Sequence, residues 1–199
     1  ISGRAFQPTR DEINIFPVPE GWNKPIDKRK LLPSGFEAGY FIRGNEIVIS
    51  FAGTGPEILN PDWLANFGLT LGSGATQLDE AAAYYMEVRA AYPNAAITFT
   101  GHSLGGGLAA LLSVFFNETA VTFDPAPFRA SANNDVRNGL VTYLMGLGYS
   151  GEDQAIQALQ SFHSSLPANN AGPSEELGIR GESNVSILRV VGEAIDDSI

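Results

Sequence analysis

Cysteine is absent from the 199 residues, which excludes disulfide staples and thiol nucleophiles and leaves the compartment open. Histidine is scarce, with two in the chain, so chemistry that needs an imidazole has few places to find one. No stretch approaches the roughly 20 consecutive apolar residues of a membrane-spanning helix. The longest apolar run, Leu108 to Phe116, has the length of one core helix. Basic residues are outnumbered, 12 Lys and Arg against 22 Asp and Glu, giving a net charge of -10 and a pI near 4.5. A surface of that sign repels phosphate backbones, so nucleic acid is not an expected partner. Internal repeats and calcium-binding nonapeptide arrays are missing. Gly72-Ser-Gly74 lacks the rest of a dinucleotide fingerprint and does not make a nucleotide site. No cofactor is expected; the acidity leaves room for a structural calcium, but no ligand pattern marks one.

What is present suits one folded domain. Hydrophobic residues make up 44%, charged residues 17%, and the mean hydropathy is -0.01, outside the low-hydrophobicity, high-charge regime of disorder. Residues 1–30, with Pro8, Pro17, Pro19 and Pro25, read as an irregular arm, and 31–199 as the domain proper. The chain starts at Ile1 with no signal-peptide pattern. The expectation is a processed or excised piece, incomplete at its C-terminus. Seven of the twelve Lys and Arg precede Asn45, and Lys28-Arg29-Lys30 is the one basic cluster. It reads as a solvated turn or, alternatively, as a transient contact with an anionic lipid surface.

From Phe36 onward the pattern becomes regular. Gly39 to Arg43, Gly44-Asn45 and Glu46 to Phe51 read as a β-hairpin with a two-residue turn. Gly53, Gly55 and Pro56 mark a loop, and Asn60-Pro61-Asp62-Trp63 a helix start. Thr76 to Ala91 places Leu78, Ala82, Tyr85 and Val88 or Arg89 near helical spacing, and Pro93 stops it. Ala96 to Thr100 and Ala120 to Phe123 read as strands, 128–163 as helical with glycine breaks, 164–183 as loop, and Val185 to Val191 as a last strand. Alternating strands and helices predict an α/β fold, with a mainly parallel sheet covered on both faces in three layers.

Between the strand at 96–100 and the helix ending at Phe116 stands Gly101-His102-Ser103-Leu104-Gly105. A G-x-S-x-G sequence alone is weak. Its strand-to-helix context is what nucleophilic serine chemistry requires, because a sharp turn there lifts the hydroxyl clear of the backbone. The helix start also leaves backbone N–H groups unpaired and partly positive. The N–H of Leu104 is therefore placed to stabilise an oxyanion formed by attack of Ser103 on a carbonyl. The bland alternative is a glycine-rich turn with an incidental serine.

Gly101-His-Ser-Leu-Gly-Gly-Gly-Leu-Ala109 resembles the elbow of class 3 lipases, which carry GHSLGG. Ile47-Val-Ile-Ser-Phe-Ala-Gly-Thr54 followed by Asp62-Trp63 is similar to the FRGT…DW segment of the same family, with Ala52 where the family has arginine. The resemblance covers about residues 50–125. It implies an α/β-hydrolase-type fold and hydrolysis of carboxylic esters, as by a lipase, phospholipase A1 or esterase, through an acyl-enzyme on Ser103. It also implies that Thr54 supplies the second oxyanion donor, that the substrate is a lipid or small ester, and that the protein is secreted.

The acid and base stay open. In this fold the chain order is Ser, then Asp or Glu, then His. Asp124, in Val121-Thr-Phe-Asp-Pro-Ala-Pro127, is similar to the LDPA segment that bears the acid of pancreatic-type lipases. Glu193 follows the last strand, where class 3 lipases place theirs, with Asp196 and Asp197 nearby. His102 is adjacent to the nucleophile and is expected to pack away from it. That leaves His163, or a histidine beyond Ile199, as base. The other class of function is a catalytically inactive hydrolase-fold binding domain. Helices within 128–163 are expected to cap the site. Phe115, Phe116, Phe128, Leu144 and Met145 are candidates either for an acyl pocket or for the core.

Overall fold

The computed structural model describes residues 17–25, 28–53, 73–162 and 181–189. Strands β2 (Glu37–Arg43) and β3 (Glu46–Phe51) form the expected hairpin. Gly44 at its turn has φ 58, a conformation that costs a glycine little. The short β1 (Lys30–Leu31) adds antiparallel to the outer edge of β2, and Asn23 bridges to Ile42 farther along the same edge. Then follow α1 (Ser73–Ala91), β4 (Ala96–His102), α2 (Leu104–Phe116) and β5 (Thr119–Phe123). Helices α3 (Asn134–Gly146) and α4 (Gln154–Ser161) lead to β6 (Val185–Leu188). The helix start read at Asn60–Trp63, the loop read over 164–180 and the end of the last strand at 190–191 lie outside the described residues.

The sheet runs β1-β2-β3-β4-β5-β6, parallel from β3 to β6. This is an α/β fold with a mainly parallel sheet. Because strand order follows chain order, every crossover moves in one direction, and the right-handed rule then puts all crossover helices on one face. The contacts agree. A Cβ at Gly101 of β4 would lie 2.2 Å from the backbone of Gly105 in α2. On the same face, Tyr85 of α1 meets the Phe99 ring edge-on at 5.2 Å and lies 4.6 Å from Phe116 of α2. The expected cover on both faces therefore takes a different form: among the described residues the helices stand on one face.

Helix α2 is apolar on all sides and every one of its residues is buried, as a helix with no polar face must be. Its inner side rests on β3, β4 and β5, while α1 and α4 pack around it and α3 packs on α1 and α4. Sequence reading leads one to expect a cap over the site from 128–163; in the structure α4 covers α2, and α3 lies against α1 and α4. Phe115, Phe116, Phe128 and Leu144 accordingly belong to the core, while Met145 is 50% exposed. Asn133 caps α3 by accepting from the N–H groups of Asp135 and Val136, both at 3.0 Å.

Candidate active site

Parallel pairing brings the C-terminal ends of β3, β4, β5 and β6 to one end of the sheet. Phe51 lies opposite Gly101, His102 opposite Phe123, and Phe123 opposite Leu188. Ser103 is the single residue between β4 and α2, with φ 53 and ψ -122. For a residue with a side chain that backbone is uncommon and costs on the order of 1–3 kcal/mol, so neighbouring structure must over-determine it. Three hydrogen bonds do so. The Ser103 N–H donates to the Phe123 carbonyl at 3.1 Å. The Ser103 carbonyl accepts from Gly107 at 3.0 Å and from Ala126 at 2.9 Å.

The glycines around Ser103 are required by contact. A Cβ at Gly105 would lie 2.3 Å from the Phe51 carbonyl oxygen and 2.8 Å from Ala52. The start of α2 is thus pressed against the end of β3, which delivers the Ala52–Gly53 segment to the elbow. A Cβ at Gly106 would meet Pro125 at 3.0 Å, and one at Gly107 the Ala126 carbonyl oxygen at 2.9 Å. The Asp124–Ala126 turn can therefore lie directly on the first turn of the helix. The role of this turn in holding Ser103 is not evident from the motif. Its one sequence signal is the run of three glycines, Gly105 to Gly107, longer than the elbow itself needs.

Asp124 follows β5 immediately, beside the elbow, with φ 41 and only 7% exposure. Its N–H donates to the Leu188 carbonyl at 2.8 Å, which ties the β5 and β6 ends together. Among the described residues, three non-glycine residues have positive φ. Asn117 is the left-handed C-cap of α2; the other two, Ser103 and Asp124, stand at the ends of adjacent strands. Strain of this kind clusters at functional sites.

The structure thus brings Ser103, the N–H of Leu104 at the α2 start, and Asp124 to one place. His102 alternates with Gly101 along β4 and so faces away from α2, half-buried. Thr54 follows Gly53 directly but lies outside the described residues, as do Glu193, Asp196, Asp197 and His163. Phe162, next to His163 in the chain, meets Phe115 at 4.9 Å. Phe115 is twelve residues along α2 from Ser103, roughly 18 Å of helix. Among the described residues no group of His, Cys, Asp and Glu could hold a metal ion, and no helix is long and apolar enough to cross a membrane.

A family model described as a Tle-like phospholipase domain matches residues 18–142, well over half of the chain. The extracellular phospholipase A1 of Serratia liquefaciens is 39% identical over 93 residues, covering 47% of this chain and 28% of that protein. The chain thus spans less than a third of that relative's length. Among solved structures, the lipase–propeptide complex of Rhizomucor miehei gives a TM-score of 0.42 at 18% identity, covering 62% of this chain and 49% of the other. A fungal lipase–inhibitor complex gives 0.36 at 21% identity, covering 62% and 55%.

Proposed function

This chain belongs to the Tle-like phospholipase domain family, and from that premise we propose that it hydrolyses carboxylic esters of lipids through an acyl-enzyme on Ser103. The observation that carries the reading is the backbone of Ser103: strained, held by three hydrogen bonds, and set at a helix N-terminus. Helix α2 aims its unpaired N–H groups and the positive end of its dipole at the space beside the hydroxyl. An attacked carbonyl oxygen there would gain charge where the protein has already arranged donors.

In the first step the Ser103 Oγ attacks the ester carbonyl while a histidine takes its proton. The oxyanion is held by the Leu104 N–H and by Thr54, the residue that the resemblance to class 3 lipases gives this role. Collapse expels the alcohol, protonated by the histidine, and water then releases the acid by the reverse sequence. The base is His163 or a histidine carried by a longer polypeptide than these residues. His102 on the opposite face is not assigned that role. The carboxylate that orients the base is Asp124 or Glu193, with Asp196 and Asp197 as neighbours of the latter. Asp124's burial beside Ser103 supports it; the place of Glu193 after β6 matches the family habit. Phospholipid acyl esters are the first substrates to test, and the extracellular relative suggests action outside the cell.

The direct test is intact mass after treatment with a fluorophosphonate probe. One adduct is expected on the unsubstituted chain and none on Ser103→Ala, whose ester turnover should fall by roughly 10⁴-fold or more. His163→Ala then sorts the base: loss of labelling assigns His163, and retained labelling assigns the other source. A folded chain that takes no adduct would overturn the hydrolase reading and leave a binding domain on the same fold.

A further inference from the structure

A cluster of cations stands out on this acidic chain. Lys24, Lys28, Arg29, Lys30 and Arg43, five of the twelve Lys and Arg, lie along the outer edge of the sheet at β1 and β2. Lys24 Nζ sits 5.5 Å over the Phe41 ring, and the Arg43 guanidinium 4.6 Å over Trp22. Lys24 and Arg29 side chains both approach Gly39, at 3.7 and 3.8 Å from where its Cβ would stand. Beside them a groove of about 300 Å³ opens between this edge and α1, lined by Lys28, Arg29, Lys30, Tyr40, Tyr84 and Tyr92 together with the last turns of α1. Tyr84 donates to the Lys28 carbonyl at 2.7 Å, which fixes the basic run against the helix. Lys30 pairs with Glu87, the acidic group in the groove, and Arg43 with Glu46, each at 2.8 Å; Lys28 and Arg29 stand beside Lys30 at the centre of the cluster. Leu31, the next residue, is 54% exposed.

Register sets the height of this edge. Lys30 pairs with Ala38, Ala38 with Phe51, and Phe51 with Gly101. Lys30 and Leu31 therefore stand level with the elbow, three strand spacings or roughly 14 Å to one side. We propose that the β1–β2 edge, centred on Lys28, Arg29, Lys30 and Leu31, is the surface by which the domain rests on anionic phospholipid. The partner follows from charge complementarity. A chain of net charge -10 is repelled by an anionic bilayer unless its cations lie nearest the surface. Screening over about 10 Å at 0.1 M salt then lets the near cluster outweigh the distant negative charge. An exposed leucine among lysine and arginine suits the headgroup boundary, where an apolar body and charged ends are both satisfied.

The proposal stands apart from turnover, so it is tested on Ser103→Ala, which leaves the lipid intact. Vesicles of phosphatidylcholine alone are compared with vesicles in which a third of the lipid is phosphatidylserine, by sedimentation at low and at physiological salt. Binding to the phosphatidylserine vesicles that weakens with salt is expected. It should fall by roughly tenfold or more when Lys28→Ala, Arg29→Ala and Lys30→Ala are combined, with an unchanged circular dichroism spectrum. Should the triple variant misfold, Arg29→Gln alone is expected to weaken binding severalfold. Equal binding to the two vesicle types, or undiminished binding by the folded variants, would overturn the proposal. So would a dimer that the triple variant dissolves with no vesicle binding by either form, which would give the edge to a second copy of the chain.

Discussion

Glycine serves opposite ends in two parts of this molecule. At the elbow, Gly101, Gly105, Gly106 and Gly107 stand where a Cβ would lie 2.2 to 3.0 Å from neighbouring backbone. In the outer layer, Gly139, Gly146, Gly148 and Gly151 have nothing within 4 Å of the same point. The first set lets backbone touch backbone, so that the end of β3, the start of α2 and the turn after β5 meet around Ser103. In the second set Gly139 lies within α3, and Gly146, Gly148 and Gly151 end that helix and make the surface turns that follow it. Residue type says little by itself; the contact a side chain would make says what the glycine is for.

Substitution to alanine sharpens that contrast, and the effects should follow the distances. Gly105→Ala drives a methyl into the Phe51 carbonyl and should cost about 3 kcal/mol or more by denaturant unfolding, with fluorophosphonate labelling abolished. Gly107→Ala meets a carbonyl that belongs to a turn and can move. A loss of about 1–2 kcal/mol is expected, with labelling slowed more than tenfold because the Ala126 bond to Ser103 is displaced. Gly139→Ala in α3 should be neutral or stabilising by about 0.5–1 kcal/mol, with labelling unchanged. A destabilised Gly139→Ala, or a Gly107→Ala that labels at the unsubstituted rate, would break the comparison.

A smaller effect comes from the outer layer's own electrostatics. Asp79 of α1 is half-buried, and that burial followed by the charge of Glu80 raises it from the ordinary 3.8 to about 6. The same two carboxylates, after burial, raise Tyr143 of α3. The folded chain therefore holds the Asp79 proton more tightly than the unfolded chain does. Its contribution to stability is fully present below about pH 4, declines as pH rises toward 6, and is gone above. Solvent screening limits the change to about 1 kcal/mol. Asp79→Asn should flatten that decline in melting curves taken between these pH values, while leaving the elbow's labelling at neutral pH unchanged.

The hairpin was legible because Gly44-Asn45 is a turn dipeptide between two apolar runs, and turn chemistry is local. The buried face of α1, with Leu78, Ala82, Tyr85 and Val88 all at 3% exposure or less, was legible from helical spacing. The elbow was legible for the same local reason, although β4 runs on to His102, inside the motif. Less was legible where the partner mattered. Helical periodicity in 128–163 says that a face is buried but not against what, and the apolar residues there proved to be core around α2. That the helices among the described residues stand on one face was not legible either, since alternation of strands and helices does not carry strand order.

By itself, the sequence determined the local elements, the apolar helix that must be buried, and the serine at a strand-to-helix turn, because each depends on residues close along the chain. Only the tertiary structure decided that Asp124 stands beside Ser103, that Ala126 holds the Ser103 carbonyl, and that five cations share one edge, with Lys30 level with the elbow. Those facts depend on the order and register of strands joined by distant residues, and hydrogen bonds between backbones carry no signature in the side chains that a sequence records.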